Sequence, residues 1–356
     1  MSVQLMVRSA YTLLKSTLRI DDIARLAHEQ GYTAVALTDL NVLHGAMAFF
    51  HSCRKYGVKA LYGMELFCTL EDEEEKAGFI ILARNDSGFQ QLLKLSTLLQ
   101  TMQQQLSLEE LASYSSECYV ISTSQDDYLY SLLVHEDEPA LRRYLQQLKR
   151  SFVHFAVGIA KNDSKFLQNR NQLLRRIANE MGLLHVALPC VYYAKETDEE
   201  AYRVLCAIDQ GLQVQDKTLK TASGRWFRSR EEMEKLYDPD DLAGCDAIER
   251  DCQVEMALPK VHLPVFENRY KISSEQFLVS LCKKGLAKRM GTTQVPAAYV
   301  RRLQHELEVI NSMGFTDYFL IVWDFIRYAR TKDIFIGPGR GSAAGSLVSY
   351  CLGITH

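Results

Sequence analysis

The sequence predicts an α/β fold in its larger N-terminal part, a mainly parallel sheet or barrel built of βα units, followed by a smaller helical part. Three observations carry this. Over the first two hundred residues short β-branched runs alternate with helical patterns. Near residue 258 the texture shifts to prolines and polar residues, which reads as a linker. Beyond it, apolar stripes at helical spacing lead into a glycine-rich stretch at 337–345.

The elements follow in order. Asp21 and Asp22 start a helix whose apolar positions are Ile23, Leu26 and Ala27. Residues 33–38 form a buried strand, 42–56 a helix and 58–62 a second strand. Residues 79–83 are another strand, followed by a helix over 87–99. Further strands fall near 118–122, 154–159 and 184–188, with helices between them. In such an architecture chemistry sits at the C-terminal ends of strands, which draws attention to Asp39 and Glu65. Past Pro259 and Pro264, helices are predicted over 274–290, 299–312 and 317–330. The last is apolar nearly all round and so is expected to be buried. The acidic run at 71–75 reads as a solvated loop.

Composition narrows the class. The chain has 356 residues, enough for two domains, with 47% hydrophobic and 24% charged residues, as in a soluble globular protein. A net charge of −3 gives no broad positive field, although Lys283, Lys284, Lys288, Arg289, Arg301 and Arg302 cluster. Nine cysteines, with no C-x-x-C pair, argue against a zinc ribbon or a disulfide framework and for reduced, buried thiols. No stretch approaches the roughly 18 apolar residues of a membrane span, and no signal peptide is evident, so a cytoplasmic location is expected.

The sharpest local feature is Ile334-Phe-Ile-Gly-Pro-Gly-Arg-Gly-Ser-Ala-Ala-Gly-Ser-Leu-Val-Ser-Tyr350. It reads as a short strand, a tight turn and a helix opening near Ser342. Glycines permit positive φ and close approach of an anion. A helix start offers free N–H groups and the positive end of the dipole. Arg340 adds a fixed cation and Ser342 a hydroxyl, which together suggest a phosphate cradle. No Gly-Lys-Ser/Thr ending is present, so it is not a P-loop. Gly339, Gly341 and Ala344 match G-x-G-x-x-A in part, but the acidic partner of a dinucleotide site would fall past His356. A merely structural turn is the third reading.

Two blocks make the chain recognisable. Met313-Gly-Phe-Thr-Asp-Tyr-Phe-Leu-Ile-Val-Trp-Asp324 followed by residues 337–350 resembles the C family of bacterial replicative DNA polymerases, the alpha subunits of DNA polymerase III. Ser9-Ala-Tyr-Thr-Leu-Leu14, Ala36-Leu-Thr-Asp39, Leu43-His-Gly-Ala46 and Gly63-Met-Glu65 are similar to that family's polymerase-and-histidinol-phosphatase (PHP) domain. The uninterrupted PHP segment favours the DnaE type. The resemblance implies a PHP-type distorted (β/α)7 barrel over 1–258, with a connecting segment from about 209. It implies the beginning of a polymerase-beta-like palm over 259–356. It assigns contacts with the triphosphate to Gly341 and Ser342, supported by Gly339 and Arg340. The family's three catalytic aspartates, which hold Mg²⁺, correspond to positions after His356. The chain alone is therefore expected not to polymerise DNA and to bind no cofactor. The implied partners are primer-template DNA and dNTP, with the sliding clamp and other replisome subunits bound through other regions. Asp317 and Asp324 match no ligand position and read as structural.

Active PHP phosphoesterases bind metals through histidines and carboxylates. Here the His-x-His positions hold Met6 and Arg8, and the Asp-His pair reads Asp39-Leu40. A less secure register places Gly78, Ser124, Gly158, Cys190 and Tyr192 at further ligand positions. Asp39 and Glu65 are thus expected to be vestiges of a metal site, with Arg8 paired to one of them. His44 lies beside that loop and is the one histidine of interest. The competing functions are a PHP-type metal-dependent phosphoesterase or proofreading exonuclease, a dinucleotide-dependent oxidoreductase and a non-catalytic interaction module.

Overall fold

The computed structural model describes residues 3–70, 75–101, 106–124, 127–160, 165–256, 263–339 and 341–356. Arg340, Pro259 and most of the acidic run at 71–75 lie outside the described residues. The chain divides into two units, Met1–Met256 and Ala257–His356.

The first unit is built on β1 (Val3–Gln4), β2 (Ala34–Leu40), β3 (Lys59–Thr69), β4 (Lys76–Ala83), β5 (Leu106–Ser107), β6 (Cys118–Ser122), β7 (His154–Ile159) and β8 (Leu184–Ala187). The sheet order is β1-β2-β3-β4-β6-β7-β8, and β5 adds alongside β3. β4 runs antiparallel to both neighbours, while the other pairs are parallel. Past β8 the chain returns to its start through a parallel bridge between Val7 and Val191. There Arg8 N donates to Val191 O and Val191 N to Met6 O. The result is the distorted barrel of seven main strands that the resemblance implied.

β2 shows why the strands are apolar throughout. Val35 and Leu37 pack with α1 (Ile20–Glu29) and α2 (Ala46–Tyr56), while Ala34 and Ala36 join the cluster shared with the other strands. Both faces are covered, as in other barrels. The remaining helices of the unit are α3 (Asp86–Thr101), α4 (Leu108–Ser113), α5 (Tyr128–His135), α6 (Glu138–Ser151), α7 (Lys165–Glu180), α8 (Glu199–Gln210), α9 (Arg230–Leu236) and α10 (Pro239–Asp251). α10 is tied to α7 and β8 by Asp241, which is fully buried. Its carboxylate accepts from Arg175 Nη2 at 2.6 Å and meets His185 Nδ1 at 2.7 Å.

The second unit is helical: α11 (Ser274–Met290), α12 (Ala297–Ser312), α13 (Thr316–Thr331), a 3₁₀ turn over Gly341–Gly345, and α14 (Leu347–Leu352). Its core joins Phe277, Leu278, Cys282, Leu286, Leu303, Ile310, Leu320, Val348, Cys351 and Leu352. Three expectations change here. Residues 334–339 take no strand conformation. The α-helix begins at Leu347, capped by Ser346 Oγ, and not near Ser342. α13 buries Thr316 and Leu320 but leaves Tyr318, Phe325 and Tyr328 exposed, because it packs one side against α11. All nine cysteines are buried and unpaired by disulfides. Among the described residues no helix is long and apolar enough to cross a membrane.

Candidate functional site

Two places take up the residues singled out from sequence, one in each unit. At the barrel mouth Glu65, which lies within β3 because that strand runs on to Thr69 and does not end at residue 62 as expected, receives Arg8 Nε and Nη2, both at 2.6 Å from Oε2. The pair is nearly dry, with side chains 11% and 3% exposed. Burial alone would lower the Arg8 guanidinium, but Tyr192 and Glu65 beside it outweigh this and raise it. Arg8 also lies over the Tyr192 ring, 4.7 Å from its centroid.

Asp39 has a separate set of partners. Its Oδ1 accepts from Ser9 N and Thr12 Oγ1, each at 2.7 Å, and its Oδ2 from Ser9 Oγ at 2.7 Å. The β2–β3 register pairs Leu40 with Glu65, so Asp39 falls on the opposite face of the sheet from Glu65. The two acids share no partner among these bonds. A carboxylate neutralised by a guanidinium and another already accepting three short hydrogen bonds are poor partners for a hard divalent cation. The supposed further ligand positions are filled by packing. A side chain at 78 would meet Thr123 Oγ1 at 2.3 Å, one at 158 would meet Ser122 O at 2.4 Å, and Cys190 Sγ lies 3.1 Å from Met6 Sδ. His44 is exposed and edges onto Tyr11.

In the second unit the described glycines of the turn differ in what surrounds them. Gly339 adopts φ +98° and Gly341 φ +69°, conformations that L side chains avoid. Thr355 lies beneath Gly339, 2.9 Å from where a Cβ would stand, whereas nothing lies within 4 Å of that point at Gly341. A helical turn leaves its first N–H groups without intrahelical acceptors, and Gly341, Ser342 and Ala343 head the 3₁₀ turn, exposed to solvent. Ser342 borders a recess of about 400 Å³ with Arg302, His305 and Glu306.

Sequence reasoning missed Glu306. Its Oε2 accepts from Val348 N at 3.0 Å and Ser346 Oγ at 3.1 Å, while Arg302 Nε donates to Oε1 at 2.7 Å. Burial pushes its carboxyl up, but the N–H groups of Val348 and Leu347, Arg302 and Ser346 together pull it below the ordinary carboxylate range. The sequence offers only an Arg302–Glu306 pair at i,i+4, which reads as a surface ion pair. Two members of the basic cluster are thus committed internally, Arg302 to Glu306 and Arg289 to the carbonyls of Tyr350 and Thr355. Asp317 Oδ1 accepts from Phe266 N and Ser274 Oγ, and Asp324 pairs with Arg327.

Comparison with known proteins gives matches within each of the two units. Residues 4–164 match the PHP domain family, and residues 276–356 match the family described as the bacterial DNA polymerase III alpha NTPase domain. A protein named DNA polymerase III subunit alpha from Bacillus subtilis (strain 168) is 34% identical over 357 residues, covering 99% of this chain and 32% of that protein. The proteins of the same name from Halalkalibacterium halodurans and Ureaplasma parvum are 34% and 31% identical, covering 99% and 100% of this chain and 32% of each. The chain thus spans about a third of the length of the curated relatives it matches. An amidohydrolase structure from Chromobacterium violaceum aligns with 54% of this chain and 88% of its own, at 10% identity and a TM-score of 0.40.

Proposed function

We propose, for a chain that belongs to the family of bacterial DNA polymerase III alpha subunits, that its barrel is a metal-free scaffold and its glycine turn grips the triphosphate of an incoming dNTP. The reaction served is template-directed DNA synthesis in replication, on primer-template DNA in the cytoplasm. The sliding clamp and other replisome subunits are partners of the whole enzyme through regions outside this sequence. The observation that carries the reading is the turn itself. Gly339 and Gly341 hold positive φ, and Gly341, Ser342 and Ala343 head a solvent-exposed turn whose first amides lack intrahelical acceptors. Backbone donors fixed in place before the ligand arrives hold phosphate oxygens without reorganisation.

Mg²⁺ supplies the electrophilic chemistry of the whole enzyme. Three carboxylates of this unit are already engaged, Asp317 by Phe266 N and Ser274 Oγ, Asp324 by Arg327 and Glu306 by Val348 N and Ser346 Oγ. On this reading the 356-residue chain alone binds nucleotide without incorporating it. The phosphoesterase reading is disfavoured by the Arg8–Glu65 pair, which puts a fixed cation where such an enzyme needs a metal ligand.

Titration with dATP tests the reading. Removing the hydroxyl in Ser342→Ala should weaken binding by about tenfold or more, since a hydrogen bond to a charged group contributes roughly 1.5–3 kcal/mol. Equal affinities for wild type and variant would contradict it.

A further inference from the structure

Each of the three long helices of the second unit sends one charged side chain to the segment 346–356. From α12, Glu306 accepts from Val348 N and Ser346 Oγ. From α11, Arg289 donates to Tyr350 O at 3.2 Å and Thr355 O at 2.7 Å, with its guanidinium over the Tyr350 ring. From α13, Arg330 donates to Gly353 O at 2.5 Å. An acid thus meets the first N–H groups of α14 and two arginines meet carbonyls at and beyond its end, each charge matched to the local dipole.

The three do not act at the same place. The arginines hold the far end of α14, whereas Glu306 holds the junction at which the Gly341–Gly345 turn enters it. Ser346 is the hinge of that junction: its hydroxyl accepts from Ser349 N as the cap of α14 and donates to Glu306. We propose that Glu306 is a positioning residue of the triphosphate site, fixing Ser346 and through it the direction in which the turn presents its amides and Ser342. The proposal rests on the reading of the turn given above. A different role, an anion competing with phosphate, is opposed by its bonds and by its charge balance, although Glu306 and Ser342 border one recess. The bonds of Glu306 fall at 346–348, past the amides of 341–343, and its charge is matched by Arg302.

The test compares wild type, Glu306→Ala and Glu306→Gln, following dATP affinity and amide hydrogen exchange, with the amides of Cys282 and Leu286 reporting that the core of the unit is intact. Glu306→Ala should speed exchange at Val348, Ser349 and 341–345 and weaken dATP binding by about tenfold. Glu306→Gln keeps an acceptor oxygen and should stay within about threefold of wild type for dATP. Unchanged exchange at 341–345 in Glu306→Ala, or tighter dATP binding by that variant, overturns the proposal. If wild type fails to bind dATP, the phosphate reading of the turn falls, while exchange at 341–345 still decides whether Glu306 positions it.

Discussion

Glu65→Ala is expected to destabilise the first unit by about 3–5 kcal/mol, the usual cost of leaving one member of a buried ion pair alone. Arg8 has no route to bulk water that keeps its place, since its side chain is 11% exposed and lies over Tyr192. For a domain of this size the loss corresponds to a fall in melting temperature of about 10 °C. Replacing both partners, Arg8→Met with Glu65→Leu, should recover most of it, because an apolar pair of similar volume removes the orphaned charge. Thermal melts of the three proteins check the expectation. The same melts with a chelator should superimpose for wild type, since the cation at the mouth is a guanidinium. A loss under 1 kcal/mol in Glu65→Ala would show that Arg8 does not depend on Glu65.

Asp241→Asn is expected to have an effect of similar size at neutral pH and a smaller one in acid. Burial pushes the Asp241 carboxyl up, but hydrogen bonds from His185 and Arg175 outweigh it and hold it below its ordinary value of 3.8. A carboxyl whose folded pKa is depressed contributes its stability fully above the unfolded value and loses it as pH falls through the folded one. Wild type should therefore lead Asp241→Asn by a constant margin above pH ~5, and the margin should shrink steadily below pH ~4. Urea midpoints across that range measure it. A margin independent of pH would mean that the ionised form of Asp241 is not what clamps α10 to α7 and β8.

How far the fold could be read depended on whether the sequence alone distinguishes the alternatives. The β2 run with Asp39 near its end was legible, because Ala34-Val-Ala-Leu37 is apolar on both faces and a barrel strand must be. The antiparallel course of β4 was not, since Phe79-Ile-Ile-Leu-Ala83 is buried on both faces and reads the same in either direction. The apolar circumference of α13 suggested burial, yet periodicity says only which faces seek a partner. Tyr318, Phe325 and Tyr328 stay exposed in this unit.

The candidate site divides in the same way. The need for glycine at 339 and 341 was legible from the motif and appears as positive φ. The helix start was displaced by five residues, because two Gly-Ser pairs, 341–342 and 345–346, both resemble caps and only Ser346 accepts from the N–H three residues on. Asp39 was found as a carboxylate at a strand end, whereas Glu65, expected just past a strand, lies within β3, and only the register places the two on opposite faces. Glu306 was invisible, because its bonds to Ser346 and Val348 cross 40 and 42 residues of sequence.

The most direct measurement is an anomalous-scattering map of crystals soaked with dATP and Mn²⁺. Triphosphate density against the amides of Gly341, Ser342 and Ala343, with no manganese at Glu65 or Asp39, is the predicted result. Manganese bound at Glu65 with Arg8 displaced, and phosphate beside it in the barrel mouth, would contradict the account.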